Sequence, residues 1–177
     1  MTTENIGSVT ALRQALERIP EGADAVRMFA KLGLWTSEAH RGASERKMFP
    51  TEFSKLGAPE LSDLSARVVS EAGRVSELVG LLSGLEARVK LRSKAARAAS
   101  RSRSRRDWPE EQKAPTSKEL DDLSEEDPAV VELEEQLGLL QLLSAQAQAV
   151  REANMMYKDA VSREVTYRAA QMQARIY

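Results

Sequence analysis

Apolar residues in the middle of the chain recur at alternating steps of three and four positions. The series is Leu61, Leu64, Val68, Glu71, Val75, Leu78, Leu82, Leu85, Val89 and Arg92. Glu71 is one acidic interruption, and the basic Arg92 is the last position of the series. This spacing keeps the series on one face of a helix, and a repeat of this length favours coiled-coil-like packing. Pro59 lies just before the series, where a first helical turn tolerates proline. The sequence therefore predicts one long helix over residues 59–106.

A second long helix is predicted over residues 129–177. Asp127 followed by Pro128 has the form of an N-cap and a first helical position. The predicted buried face comprises Val130, Leu133, Leu137, Leu140, Ala147, Val150, Tyr157, Val161, Val165, Arg168, Met172 and Ile176, and it is broadened by Leu139, Leu142 and Leu143. A helix with an apolar face this wide needs a partner to cover it.

Residues 107–128 form an acidic connector between the two long helices. The tripeptide Asp107-Trp108-Pro109 is expected to end the first helix, and Thr116 with Glu119 has the spacing of a capping box for a short helix. A connector of about twenty residues predicts that the long helices fold back on each other as an antiparallel hairpin. Self-association is expected to cover the apolar surface that the hairpin leaves exposed.

Residues 1–50 are predicted to form an N-terminal appendage of short helices. Two apolar sets mark them: Val9, Leu12, Leu16 and Ile19, then Val26, Phe29, Leu32, Leu34 and Trp35. Only 5% of the residues are aromatic, and no run of alternating β-branched residues predicts a strand. The predicted fold class is all-α: a long antiparallel helical hairpin with coiled-coil-like packing, plus this N-terminal region of short helices.

Few residues suit catalysis or metal binding. The chain has no cysteine, and its single histidine, His40, has no neighbours that would form a dyad or a zinc site. No phosphate-binding glycine loop or nucleophile motif occurs. We therefore expect a non-enzymatic protein without cofactor or metal. No apolar run reaches eighteen residues, which predicts a soluble, cytoplasmic protein without membrane contact.

The strongest functional signal is a run of cations at the end of the first long helix. Nine Lys and Arg residues and no Asp or Glu lie within residues 88–106, although the whole chain has a net charge of −1. The predicted nucleic-acid-binding residues are this basic run, Arg88, Lys90, Arg92, Lys94, Arg97, Arg101, Arg103, Arg105 and Arg106, together with Trp108. Their spacing predicts charge scattered around the helix. Such a run attracts phosphates by releasing counterions, with little regard to base sequence.

Two further features of the charge pattern bear on this prediction. Residues 110–135 contain eleven acidic residues and two lysines, so pairing between this acidic stretch and the basic run is an open alternative. A candidate second nucleic-acid contact comprises Lys158, Arg163 and Arg168, which lie between aromatic and aliphatic residues of the second long helix.

This two-part layout resembles the UvsY-type recombination mediators of tailed bacteriophages. One matching part is the helix that ends in basic residues, LSDLSARVVSEAGRVSELVGLLSGLEARVKLRSKAARAASR. The other is the connector with the last helix, KAPTSKELDDLSEEDPAVVELEEQLGLLQLLSAQAQAVREANMMYKDAVSREVTYR. Similar features are a Thr-x-x-Glu turn, an Asp-Pro helix start, a Leu/Glu-rich helix and a closing Arg/Tyr segment. The resemblance covers about residues 59–170.

The resemblance implies a helical protein that forms a ring-like homo-oligomer and binds single-stranded DNA. It also implies that the protein helps a RecA-like recombinase displace single-strand-binding protein. The family's DNA-contacting Lys/Arg motif corresponds to Lys94 and Arg97, with Lys90 and Arg92 beside them. Relatives carry aromatic residues just after the basic pair, whereas this chain has Ala-Ala-Ser at positions 98–100. This departure implies a more purely electrostatic grip with little base stacking.

We therefore expect a non-enzymatic, single-stranded DNA-binding accessory protein of recombination or replication. If a phage encodes it, it acts in the cytoplasm of the infected bacterial host. The alternative is a structural or adaptor coiled-coil protein, such as a virion or assembly component, whose basic run docks an acidic partner. Residues 1–50 favour this alternative if they form a docking module.

Overall fold

The computed structural model describes residues 12–34, 55–109 and 113–174, and it contains no strand within these ranges. Helix α1 covers residues 12–18, followed by α2 (Gly22–Lys31), α3 (Ala58–Arg106), α4 (Ser117–Glu125) and α5 (Pro128–Ala174). The all-α prediction is confirmed for this part of the chain. The predictions for Val9, Trp35, His40 and Ile176 lie outside the described residues.

Local capping signals set the starts of the last two helices. Thr116 and Glu119 form a full capping box at α4, in which each side chain accepts a hydrogen bond from the other residue's backbone N–H. At α5 the Ala129 N–H donates to Oδ1 of Asp127 at 3.0 Å, which makes Asp127 the N-cap. Both predicted caps are confirmed.

Contacts group the chain into two compact units. Unit 1 comprises Met1–Asp24 and Leu82–Leu143, and unit 2 comprises Ala25–Leu81 and Ser144–Tyr177. Each unit therefore combines a piece of the N-terminal region with part of α3 and part of α5. The units follow contacts between residues that are far apart in sequence, whereas the segments predicted above follow chain order.

In unit 1, α3 and α5 run antiparallel. Arg97 pairs with Glu134, and Arg103 pairs with Asp127, so residue numbers rise along α3 as they fall along α5. The buried apolar side chains of this unit include Leu16, Ile19, Leu82, Leu85, Val89, Leu120, Val130, Leu140 and Leu143. The end of α3 is thereby held against the start of α5 by apolar packing and by ion pairs at its margin.

In unit 2, the first half of α3 packs against the second part of α5. Its central cluster comprises Leu61, Leu64, Val68, Tyr157 and Val161. The end of α2 joins this unit through Leu34, whose carbonyl accepts a hydrogen bond from Nε2 of Gln146 at 3.1 Å. Gly33, with a φ of 63°, supplies the left-handed turn that ends α2.

The predicted buried face of α3 is confirmed from Leu61 to Val89 but is wrong at Arg92, which is exposed. The buried face continues instead through Ser93 and Ser100. A step of four from Val89 keeps the next residue on the buried face, and serine is small enough to be covered there. After Val89 the buried face of α3 continues, but its residues are serines and no longer apolar.

The predicted face of α5 is wrong at two positions near its end. Val165 and Met172 are 42% and 59% exposed. Leu142, expected to broaden the buried face, is also exposed. Asn154 was not predicted and is fully buried, with neither side-chain polar atom hydrogen-bonded within the described structure. Hydrophobicity alone did not reveal this polar position.

Candidate nucleic-acid interface

All nine cations of the basic run lie on one uninterrupted helix. Helix α3 continues to Arg106, and the Asp107 N–H still donates to the Arg103 carbonyl at 2.9 Å. The alternating Arg/Ser segment is therefore helical, and the Ser102 hydroxyl donates to the Ala98 carbonyl of the preceding turn. Pro109 follows the last turn, and the residue before a proline is disfavoured in helical conformation. The cations are held on a fixed scaffold.

Helical geometry gathers five of these cations on one side of α3. At about 100° per residue, they fall within a sector of about 80°. We call this set the basic face; it comprises Lys90, Lys94, Arg97, Arg101 and Arg105. The other four, Arg88, Arg92, Arg103 and Arg106, lie on the opposite side of the buried positions Val89, Ser93 and Ser100. The charge is therefore sorted into two flanks, where the sequence analysis predicted a scatter.

Three arginines of the basic run hold carboxylates from the acidic stretch. Nε of Arg97 lies 3.1 Å from Oε1 of Glu134. Arg101 pairs with Asp121 of α4. Nη2 of Arg103 lies 2.5 Å from Oδ2 of Asp127. These pairs lie in unit 1, and they give the alternative of intramolecular pairing a concrete basis.

Two of these paired side chains, Arg97 and Asp127, have shifted pKa values. The hydrogen bond and charge of Glu134 raise the pKa of Arg97 above its ordinary value. The pKa of Asp127 is lowered, first by the hydrogen bond from the Ser100 hydroxyl, then by the Ala129 N–H and the charge of Arg103. Both shifts favour the charged forms. Arg97 and Asp127 are therefore held in their charged forms at neutral pH.

The remaining six cations of the basic run differ in whether a carboxylate pairs with them. Arg88 pairs with Glu21, and Nζ of Lys90 lies 3.7 Å from Oε2 of Glu86. Four are exposed and form no ion pair among the described residues: Arg92, Lys94, Arg105 and Arg106. Lys94 and Arg105 belong to the basic face and lie on either side of Arg97 and Arg101. The most available charges of that face are thus Lys94 and Arg105, which lie on either side of the two paired arginines.

Trp108 is half-buried beside the end of α3. Its indole Nε1–H donates to the Lys113 carbonyl at 3.1 Å. This bond ties the connector to the helix end and fixes the position of the ring. The polar edge of Trp108 is therefore already used, which leaves the ring face as the surface for any ligand.

The candidate second contact lies in unit 2, and its three residues differ. Arg163 is exposed and Lys158 is half-buried. Arg168 has internal partners: Nε lies 2.7 Å from Oε1 of Glu164, and Nη1 donates to the Leu56 carbonyl at 2.6 Å. Arg168 therefore ties α5 to the segment before α3, which leaves Arg163 as the most accessible cation of the three.

The sequence left pairing with the acidic stretch open but did not identify which carboxylates pair with which arginines. Glu134 lies 37 residues from Arg97, and Asp127 lies 24 residues from Arg103. Local patterns carry no information at this separation. The acidic composition of residues 110–135 was the available signal; it indicated the partner stretch but not the residues within it that form the pairs.

The described ranges place no group of three or more His, Cys, Asp and Glu side chains where they could hold a metal ion. Among the helices described, none is both long and apolar enough to cross a bilayer. Comparisons of the chain with family models, curated proteins and solved structures give no match. The resemblance to recombination mediators therefore stays a prediction that rests on the residues quoted above.

Proposed function

We propose that this protein is a non-enzymatic, single-stranded DNA-binding accessory protein that helps to load a RecA-like recombinase. The observation that carries the proposal is the basic run at the end of α3. It holds nine cations on one helix, and four of them form no ion pair among the described residues. A fixed row of exposed cations binds a phosphate chain largely through counterion release.

The binding step assigns different tasks to the cations. Lys94 and Arg105 make the first phosphate contacts, because both are exposed and lie on the basic face. They are about 16 Å apart along the helix at about 1.5 Å per residue, so they hold a strand at two separate points. With Ala at positions 98 and 99, the grip is electrostatic, and Trp108 offers the nearest ring for stacking.

Assembly of several copies raises the overall affinity for the strand. In the proposal, α3 and α5 form a long antiparallel hairpin with coiled-coil-like packing, and several copies associate into a ring-like homo-oligomer. Each basic run then acts at high effective concentration once a neighbouring run has bound the strand. A strand wrapped in this way binds a single-strand-binding protein less well and is open to the recombinase.

Recombinase loading provides the test of function. Single-stranded DNA is coated with a bacterial single-strand-binding protein, a RecA-type recombinase is added, and its DNA-dependent ATPase is followed with and without this protein. The wild-type protein should shorten the lag. A variant with Arg92, Lys94, Arg105 and Arg106 all changed to Gln should leave the lag unchanged.

A matched control removes the same number of charges elsewhere. Arg18, Lys31, Arg74 and Arg151 are exposed and form no ion pair among the described residues. Changing these four to Gln should preserve the effect on the lag. An unchanged lag with the wild-type protein, or an equal loss in both variants, contradicts the proposal.

A second function, docking of an acidic protein, is favoured by one observation. Arg97, Arg101 and Arg103 already hold carboxylates rather than phosphates in this fold. An adaptor protein of a virion or an assembly complex would use the basic run in the same way. Competition between single-stranded DNA and polyglutamate of equal charge separates the two functions, since an adaptor should favour the polypeptide.

A further inference from the structure

Two carboxylates on the basic face lie where a bound strand would place its phosphates. Glu134 of α5 holds Arg97, and Asp121 of α4 holds Arg101. Along the helix these two arginines lie between Lys94 and Arg105 of the basic face. A phosphate chain held by Lys94 and Arg105 must therefore pass directly over the two arginines that hold carboxylates.

We infer that Glu134 and Asp121 act as an intramolecular competitor that restricts the basic face to polymeric anions. The inference rests on the proposed function and concerns regulation of the same site. A chain of phosphates binds Lys94 and Arg105 first and then displaces the two carboxylates from the arginines between them. A single phosphate or a mononucleotide is too small to bind Lys94 and Arg105 together, and it does not displace the carboxylates.

The exposure of the pairs makes this displacement easy enough to occur. The side chains of Arg97 and Glu134 are 38% and 41% exposed, and those of Arg101 and Asp121 are 46% and 45% exposed. Water and salt screen such pairs, and exposed pairs contribute little to stability. The carboxylates therefore weaken strand binding without preventing it, and their loss does not unfold the protein.

The third carboxylate has a different role. Asp127 holds Arg103, but it also caps α5 through the Ala129 N–H and accepts a hydrogen bond from the Ser100 hydroxyl. Arg103 lies outside the basic face. Asp127 is therefore held in place by its capping role. It is not part of the competitor, which comprises Glu134 and Asp121, and it is not changed in the test.

The test compares two variants with the same change of charge. Asp121→Asn with Glu134→Gln removes the competitor. Asp122→Asn with Glu135→Gln changes the adjacent exposed acids, which form no ion pair among the described residues. Both variants and the wild-type protein are titrated with labelled single-stranded oligonucleotide across a salt series. Circular dichroism checks their helix content.

Removal of the competitor should tighten binding by about 2- to 30-fold, since two exposed ion pairs no longer have to be broken. The dependence of log K on log salt should steepen by up to about 1.4. In the wild type the two displaced carboxylates take up cations, which offsets the counterions released from the phosphates at Arg97 and Arg101, and the variant lacks this offset. The control variant should change affinity by less than about 2-fold, because its exposed carboxylates hold no cation of the basic face among the described residues and act only through solvent-screened charge.

Three results separate the possible failures. If the wild-type protein does not bind single-stranded DNA, the proposed function is wrong. If it binds but both variants tighten binding equally, only net charge matters and the competitor is refuted. The last measurement adds inorganic phosphate to the complex of wild-type protein and oligonucleotide. Millimolar phosphate should displace no more oligonucleotide than another salt of equal ionic strength. Greater displacement by phosphate would also overturn the inference.

Discussion

Replacing Lys94 and Arg105 with Gln should weaken single-stranded DNA binding without changing the fold. Both side chains are exposed, and neither forms an ion pair among the described residues. Single-stranded DNA gives a salt slope of about −0.7 per phosphate neutralised, so the double variant should lose about 1.4 from the slope. If the salt-dependent contribution vanishes near 1 M, the affinity falls about 14-fold at 0.15 M and about 70-fold at 0.05 M.

The assay is fluorescence anisotropy with a labelled oligonucleotide from 0.05 to 0.5 M salt, an interval over which counterion release dominates binding. Arg74→Gln with Arg151→Gln is the control, because these exposed arginines lie in unit 2 and lack ion pairs among the described residues. The control should keep the wild-type slope. An unchanged slope in the Lys94 and Arg105 variant would refute the assignment of first phosphate contacts to the basic face.

Three further predictions concern the scaffold. Leu64→Ala should lower the free energy of unfolding by about 2–5 kcal/mol in a urea titration, because Leu64 is fully buried in the cluster of unit 2; a loss below about 1 kcal/mol would contradict this packing. Asn154→Leu should raise the melting temperature, because the buried amide has no hydrogen-bond partner in the described structure; a clear decrease would show that the amide has a role there. The stability advantage of the wild type over Asp127→Asn should hold above about pH 4 and shrink below it, because the pKa of Asp127 in the fold lies below its ordinary value of about 3.9; an advantage that stays constant in urea titrations from pH 7 to pH 3 would contradict this.

Much of the helical layout follows from short-range signals in the sequence. Thr116 with Glu119 and Asp127 with Pro128 mark helix starts, and each signal is complete within four residues. The buried series from Leu61 to Val89 follows from the helical repeat, and every member is buried. Signals of this kind need no knowledge of the partner helix.

The ion pairing of the basic run and the burial of Asn154 could not be predicted from the sequence, because both depend on which residues meet across helices. The division of the basic run into paired and unpaired cations is set by the register of α3 against α4 and α5. Arg97 meets Glu134 only because α5 runs antiparallel beside it in unit 1. The burial of Asn154 likewise depends on the neighbouring helix, since its own side chain predicts exposure.

The same dependence revises the expected strength of binding. If all nine cations engaged phosphates, the salt slope would approach about −6 per protomer. The four cations without ion pairs among the described residues give at most about −3, because they lie on both flanks of the helix. The folded helix is therefore expected to bind more weakly per protomer than its sequence suggests, which makes assembly more important for a stable complex.

The most direct test of the central claim is a titration of the wild-type protein with single- and double-stranded oligonucleotides across a salt series, with the molar mass measured on the same sample. We predict a discrete oligomer that favours the single strand, with a salt slope no steeper than about −3 per protomer. Absence of DNA binding near physiological salt, or an affinity that does not depend on salt, would contradict the account.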